Sequence, residues 1–149
     1  MIIDFRSDTV TKPSKEMLEA MMQAQVGDDV FEDDISINTL EQEAAHMFNK
    51  DAAIFCPSGT MTNQIAIRTH CKAGDEVLCD RNAHVYNFEG GGIAVNAQAS
   101  VRIIEGDKGR ISPAQVNSNI NPDDIHYPIS RLLCVENTIN RAGGVYYKL

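Results

Sequence analysis

The sequence has no apolar run approaching the ~18 residues of a membrane span, no basic cluster, no internal repeat and no low-complexity tract. Each absence removes a class of protein. The opening "MIIDFRSDTV" carries Asp4 and Arg6 and no long apolar stretch, so it does not read as a signal peptide. A net charge of −8, from 13 basic against 21 acidic side chains, argues against a nucleic-acid or anionic-membrane partner, since either needs a basic patch. The four cysteines, Cys56, Cys71, Cys79 and Cys134, form no C-x-x-C pair. Their spacings suit neither a zinc site nor a disulfide framework, and no metal is expected. They read as free, mostly buried thiols in a reducing cytoplasm.

What is present is an ordinary globular composition: 149 residues, 43% hydrophobic and 23% charged, enough for a domain with a core. Pro13 and Ser14 start a helix whose Met17, Leu18, Met21 and Met22 supply i, i+4 apolar pairs. The acidic stretch "VGDDVFEDD" reads as loop. A second amphipathic helix follows from about Ser36, with Ile37, Leu40, Ala44, Met47 and Phe48 on one face.

From Asp51 the pattern changes, which suggests an organisation of 1–50 and 51–149. "AAIFC" reads as strand, Thr60 to about Cys71 as a helix burying Ile65, and 76–80 as strand. "NFEGGGIAV" suits a short helix start. Residues 101–106 read as strand, "SPAQVNSNI" as helix, and 131–137 as a buried strand. Short apolar strands alternating with helices predict an α/β fold: a three-layer, mainly parallel sheet flanked by helices. Ligands of such sheets bind beyond the carboxyl ends of the strands. Ser58, His84 and Glu136–Asn137 all fall there.

The turn Ser58-Gly59-Thr60 joins a strand to a helix. It suits a plain N-cap, or an anion held by unpaired N–H groups, a close-approaching glycine and two hydroxyls. No G-x-x-x-x-G-K-[ST] is present, so a lone phosphate or phosphomonoester fits better than a nucleoside triphosphate. His84 sits in "DRNAHVYNFEGGG", where an imidazole plane suits either packing or stacking on a flat ring. The run Gly90–Gly92 allows close packing or a flexible loop, and it does not match G-x-G-x-x-G. Glu136 and Asn137 end an apolar strand, where buried polar groups need partners. The stretch "FRSDTVTKP" suits a frayed end, or a segment whose Ser7 and Thr9 reach a carboxylate-bearing ligand as short hydrogen-bond donors.

In collinear order, "DFRSDTVTKPS", "VGDDVFEDDISINTLE", "FCPSGTMTNQIA", "AHVYNFEGGG", "DDIH" and "ENTINRAGG" resemble the signatures of the low-specificity L-threonine aldolases. These are pyridoxal-phosphate lyases of the aspartate-aminotransferase-like fold, fold type I. The resemblance implies that the chain is the N-terminal part of the large cofactor-binding domain. It implies pyridoxal 5'-phosphate as cofactor, with its phosphate on Ser58, Gly59 and Thr60, its ring under His84, and Asn137 nearby. It implies His84, His126 and Glu89 as the catalytic set, and Ser7, Phe31 and His126 as substrate contacts. The implied reaction is retro-aldol cleavage of a β-hydroxy-α-amino acid to glycine and an aldehyde. The implied assembly is a homotetramer built from dimers.

The chain departs from the pattern at Phe31, Glu32 and Ile139, where the resemblance suggests Tyr, Gly and His. It also lacks the motifs expected to supply a cofactor-bearing lysine, an aspartate for the pyridine nitrogen and an arginine for the substrate carboxylate. These are expected beyond residue 149. The six lysines present, Lys12, Lys15, Lys50, Lys72, Lys108 and Lys148, all read as solvated. A related β-eliminating lyase and a non-catalytic remnant of the same fold are the other readings. "DDIH" and "RSDT" favour the aldolase over the eliminating lyase.

Overall fold

The computed structural model describes residues 3–4 and 7–148. Phe5 and Arg6 of the opening motif lie outside the described residues. The chain divides into two compact units, one ending at Phe55 and one beginning at Cys56.

The first unit carries two capped helices. α1 (Lys15–Gln23) starts where Ser14 Oγ accepts the Met17 N–H. α2 (Ile35–Met47) starts at Asp34, whose buried carboxylate accepts the N–H groups of Ile37 and Gly27. Those two bonds hold the Asp34 carboxyl below its usual range. A side chain at Gly27 would place Cβ 2.3 Å from the Asp33 carbonyl oxygen, so only glycine fits there. The apolar residues of α1 are exposed.

The second unit is built on three parallel strands in the order β2-β1-β3: β1 (Glu76–Asp80), β2 (Ser100–Ile104) and β3 (Ser130–Cys134). Helices α3 (Gly59–His70), α4 (His84–Asn87) and α5 (Pro113–Asn119), with a π-helical turn at Ile93–Ala97, connect and cover them. All five residues of the central strand are buried. Alternation along the strand sends Val77 into a cluster with Ile67, Cys71, Ile93, Ala97 and Ala99, and Leu78 into one with Ile104 and Ile111. The first cluster is formed with α3 and the π turn. The second is backed by Val116 of α5. The expected α/β fold, a parallel sheet between helical layers, is therefore present.

Four local expectations differ. Residues 52–56 are not a strand: they lie mostly in the first unit, and the Phe55 N–H goes to Glu41 Oε1 at 2.6 Å rather than to a neighbouring strand. A ladder needs such a neighbour. β3 ends at Cys134 and is only half-buried, because it pairs on one side alone among the described residues. "NFEGGGIAV" starts on the last residue of α4 rather than opening a helix of its own, and its later part enters the π turn. In α3 the inward stripe is Gln64, Ile67 and Cys71, leaving Ile65 36% exposed against 2% for Ile67. Ile65 lies ~100° around the helix from Gln64.

Ile67→Ala is therefore expected to destabilise the fold by about 2–5 kcal/mol, the range for truncating a buried aliphatic side chain. Ile65→Ala is expected to cost less than about 1 kcal/mol. Denaturant titration of the two variants checks the difference, and equal losses would contradict the inward stripe.

Candidate active site

β1 delivers the chain to the site. At its end, Asp80 accepts the N–H groups of Asn82 at 2.7 Å and Gly106 at 2.9 Å, which turns the backbone outward. The short helix α4 then begins at His84, and Ala83 before it gives no side-chain cap. The cap comes from a distant residue: Glu136 Oε2 accepts the His84 N–H at 2.8 Å. Its Oε1 accepts the Asn140 N–H at 3.0 Å. One carboxylate thus ties the end of β1 to the segment leaving β3.

A cavity of about 250 Å³ opens at this edge, lined by Asn63, Ala83, His84, Val85, Cys134, Val135, Glu136 and Asn137. The His84 side chain is 44% exposed, and its Nδ1 lies 2.9 Å from Glu89 Oε1. Glu89 itself is fully buried, at 0% side-chain exposure. Asn63 Nδ2 donates to its Oε1 at 2.7 Å and Gln64 Nε2 to its Oε2 at 2.6 Å. Phe88 lies between His84, with ring centroids 5.6 Å apart, and the Arg141 guanidinium, 5.4 Å above its ring.

The Ser58-Gly59-Thr60 turn is the start of α3. Ser58 Oγ accepts the Met61 N–H at 3.2 Å, so Ser58 is an N-cap. A Cβ at Gly59 would meet nothing within 4 Å, which leaves the approach to the first-turn amides open. Ser58 and Thr60 line a groove with Met61, Gln64 and Val95, not the His84 cavity. The two are joined through α3, because Asn63 of the cavity lies one turn beyond Gly59 and Thr60 on the same side.

The structure therefore brings His84, Glu89 and Asn137 together at one sheet edge, with Ser58, Gly59 and Thr60 one helical turn away. His126 is elsewhere. Its segment enters β3 from the amino end, and Asn121 fastens it there by accepting from Arg102 and donating to Glu76 Oε1 and the Pro128 carbonyl. That is the edge opposite His84. The His126 ring is 82% exposed and contacts Asp124 Oδ1 at 2.7 Å. Ser7 and Phe31 belong to the first unit. Ser7 Oγ accepts the Thr9 N–H at 3.2 Å, and Phe31 is exposed in a 3-10 turn, Asp29–Phe31, that ends at Glu32 with φ 59°. Ile139 is buried against Gly109, whose Cβ would fall 2.7 Å from Ile139 Cγ2. An apolar residue suits that slot.

Sequence reasoning missed Asn63 and Gln64 as site residues. Their signal is a polar pair in "MTNQIAI", within a helix that otherwise buries aliphatic groups. All six lysines are exposed, and none lines the cavity. Among the described residues, no helix is long and apolar enough to cross a membrane.

The fold and this edge-of-sheet site define an α/β protein with an open helix start one turn from a clamped imidazole. The chain belongs to the beta-eliminating lyase family, whose sequence profile matches residues 4–149. It is 47% identical over 140 residues to the low specificity L-threonine aldolase of Escherichia coli (strain K12), covering 93% of this chain and 42% of that protein. Against the low specificity L-threonine aldolase of Saccharomyces cerevisiae it is 42% identical over 150 residues, covering 98% of this chain and 38% of that protein. A probable low-specificity L-threonine aldolase 2 of Arabidopsis thaliana is 37% identical over 146 residues, 95% of this chain and 41% of that protein. The chain thus spans about two fifths of the length of the curated relatives it matches.

The cavity also sets the state of its thiol. Burial, with Cys71 and Glu89 nearby, pushes Cys134 up to about 11, and burial pushes Cys79 up to about 12. Both stay protonated at pH 8. Alkylation of Cys134 and Cys79 by iodoacetamide at that pH is expected to be more than about tenfold slower in the folded protein than in urea. Equal rates by peptide mass analysis would contradict their environment.

Proposed function

We propose that this chain is the cofactor-binding part of a cytoplasmic pyridoxal-phosphate-dependent lyase that cleaves L-threonine, L-allo-threonine and related β-hydroxy-α-amino acids to glycine and an aldehyde. The observation that carries this reading is His84, which emerges from the carboxyl end of β1 into a cavity one helical turn from an open helix start. The similarity to threonine aldolases supports the choice of reaction.

The residues present suit the cofactor. The first-turn amides of α3, open at Gly59, together with the Thr60 hydroxyl, offer donors to a phosphate, which a helix N-terminus favours. The half-exposed His84 ring offers a flat face to a pyridine, and Asn137 lines the same cavity. When bound, pyridoxal phosphate supplies an electron sink for the pair left on Cα as Cα–Cβ breaks. The chain's own part is to hold the phosphate, orient the ring and take up the β-hydroxyl proton as the aldehyde C=O forms. His84, or a water it activates, stands at the cavity for that proton. His126 of the same chain stands at the opposite sheet edge.

Ser7 and Phe31 are the proposed substrate-side groups of the first unit. The lysine that carries the cofactor, the aspartate for its ring nitrogen and the arginine for the substrate carboxylate are assigned to polypeptide outside this chain. Residues 51–149 are then part of the cofactor domain, and 1–50 precede it. A homotetramer of dimers is the proposed assembly. The matched family's name favours β-elimination as the second reading.

The full-length protein should release aldehyde and glycine from L-threonine or L-allo-threonine. Release of a keto acid and ammonia instead would select β-elimination, and no turnover of either kind would favour the remnant. In that protein Thr60→Val is expected to weaken pyridoxal-phosphate binding by about 1–3 kcal/mol, the value of a hydrogen bond to a charged group. His126→Phe is expected to leave cofactor affinity unchanged. Unaltered affinity in Thr60→Val by fluorescence titration would reduce the α3 start to a cap.

A further inference from the structure

The run Gly90–Gly92 has a physical use in this fold. Gly90 and Gly91 take φ of 62° and 71°, a left-handed bend that favours glycine. At Gly92 a Cβ would fall 2.4 Å from Gln64 Cδ and 2.5 Å from its Oε1, so the Gln64 amide lies directly against the backbone there. The amide's orientation follows from its partners: Oε1 accepts from Asn96 Nδ2 at 3.3 Å, and Nε2 donates to Glu89 Oε2 at 2.6 Å. Asn63 Nδ2 donates to the other oxygen at 2.7 Å. Both oxygens of a fully buried carboxylate therefore receive amide N–H groups, and Glu89 faces His84 Nδ1 as an acceptor at 2.9 Å. From the other side, Glu136 fixes the His84 backbone N–H.

We propose that Glu89, clamped by Asn63 and Gln64 over the Gly90–Gly92 turn, is a positioning residue that holds neutral His84 in the tautomer with its proton on Nδ1. Nε2 is then the nitrogen with the lone pair, available to accept a proton from a substrate hydroxyl or a water in the cavity. A histidine side chain free in water prefers the opposite tautomer, with the proton on Nε2. The carboxylate thus makes a difference that can be read directly. The hydroxyl as proton source rests on the functional reading above; the tautomer itself does not.

The test is the ¹⁵N spectrum of histidine-labelled protein, recorded without pyridoxal phosphate at a pH where the imidazole is neutral. The expected result is a protonated Nδ1 and an unprotonated Nε2 for His84. Glu89→Leu should move the ring toward the Nε2–H tautomer, because an apolar side chain in that place offers Nδ1 no acceptor. A wild-type ring with its proton on Nε2 overturns the proposal. So does a Glu89→Leu ring that keeps its proton on Nδ1. Where Glu89→Leu fails to fold, the wild-type spectrum alone decides. A separate titration with pyridoxal phosphate distinguishes the two failures: no cofactor binding sinks the functional reading and leaves the tautomer result standing.

Discussion

A carboxylate with no exposed surface is costly unless its oxygens are hydrogen-bonded. Glu89 is such a group, and much of the site follows from satisfying it. Its donors come from Asn63 and Gln64 of α3 and from His84 of α4. α3 must therefore turn an amide inward at a position where the apolar pattern points to its neighbour, Ile65. The chain after Glu89 must bend tightly and offer a bare backbone to Gln64, which the glycines provide. His84 is held as a consequence, by its ring on one side and its backbone on the other.

The sheet supplies the platform for that arrangement. β1 is buried on both faces by Val77, Cys79 and Leu78, so its direction is fixed, and its two acidic ends serve as anchors. Asp80 turns the chain toward His84. Glu76, at the other end, accepts from Arg102, Asn121 and Ser130. The same polarity that gathers His84, Asn137 and Glu136 at the carboxyl edge sends His126 to the amino edge. Ligand chemistry at the carboxyl edge is the general habit of parallel sheets.

The short strands and their helices were legible because each is a local pattern: an apolar run of five, a capping serine, a proline in a first turn. β1 matched residue for residue. Residues 52–56 have the same local pattern and yet form no strand, since pairing depends on a neighbour that composition does not reveal. His84 was legible from its place after a strand. His126 was singled out by motif, and its edge of the sheet follows only from the topology. Gln64 and Asn63 were missed because a polar pair inside an amphipathic helix reads as surface until its partner, Glu89, is known to be buried.

The central claim is that the buried Glu89 carboxylate, on which His84 rests, is held by the inward amides of α3. A double-mutant cycle with Gln64→Leu and Glu89→Leu, followed by denaturant unfolding, measures that interaction directly. The account predicts an interaction energy of about 1.5–3 kcal/mol, the range for a hydrogen bond to a charged group. Additivity within about 0.5 kcal/mol, the behaviour of independent sites, would contradict it.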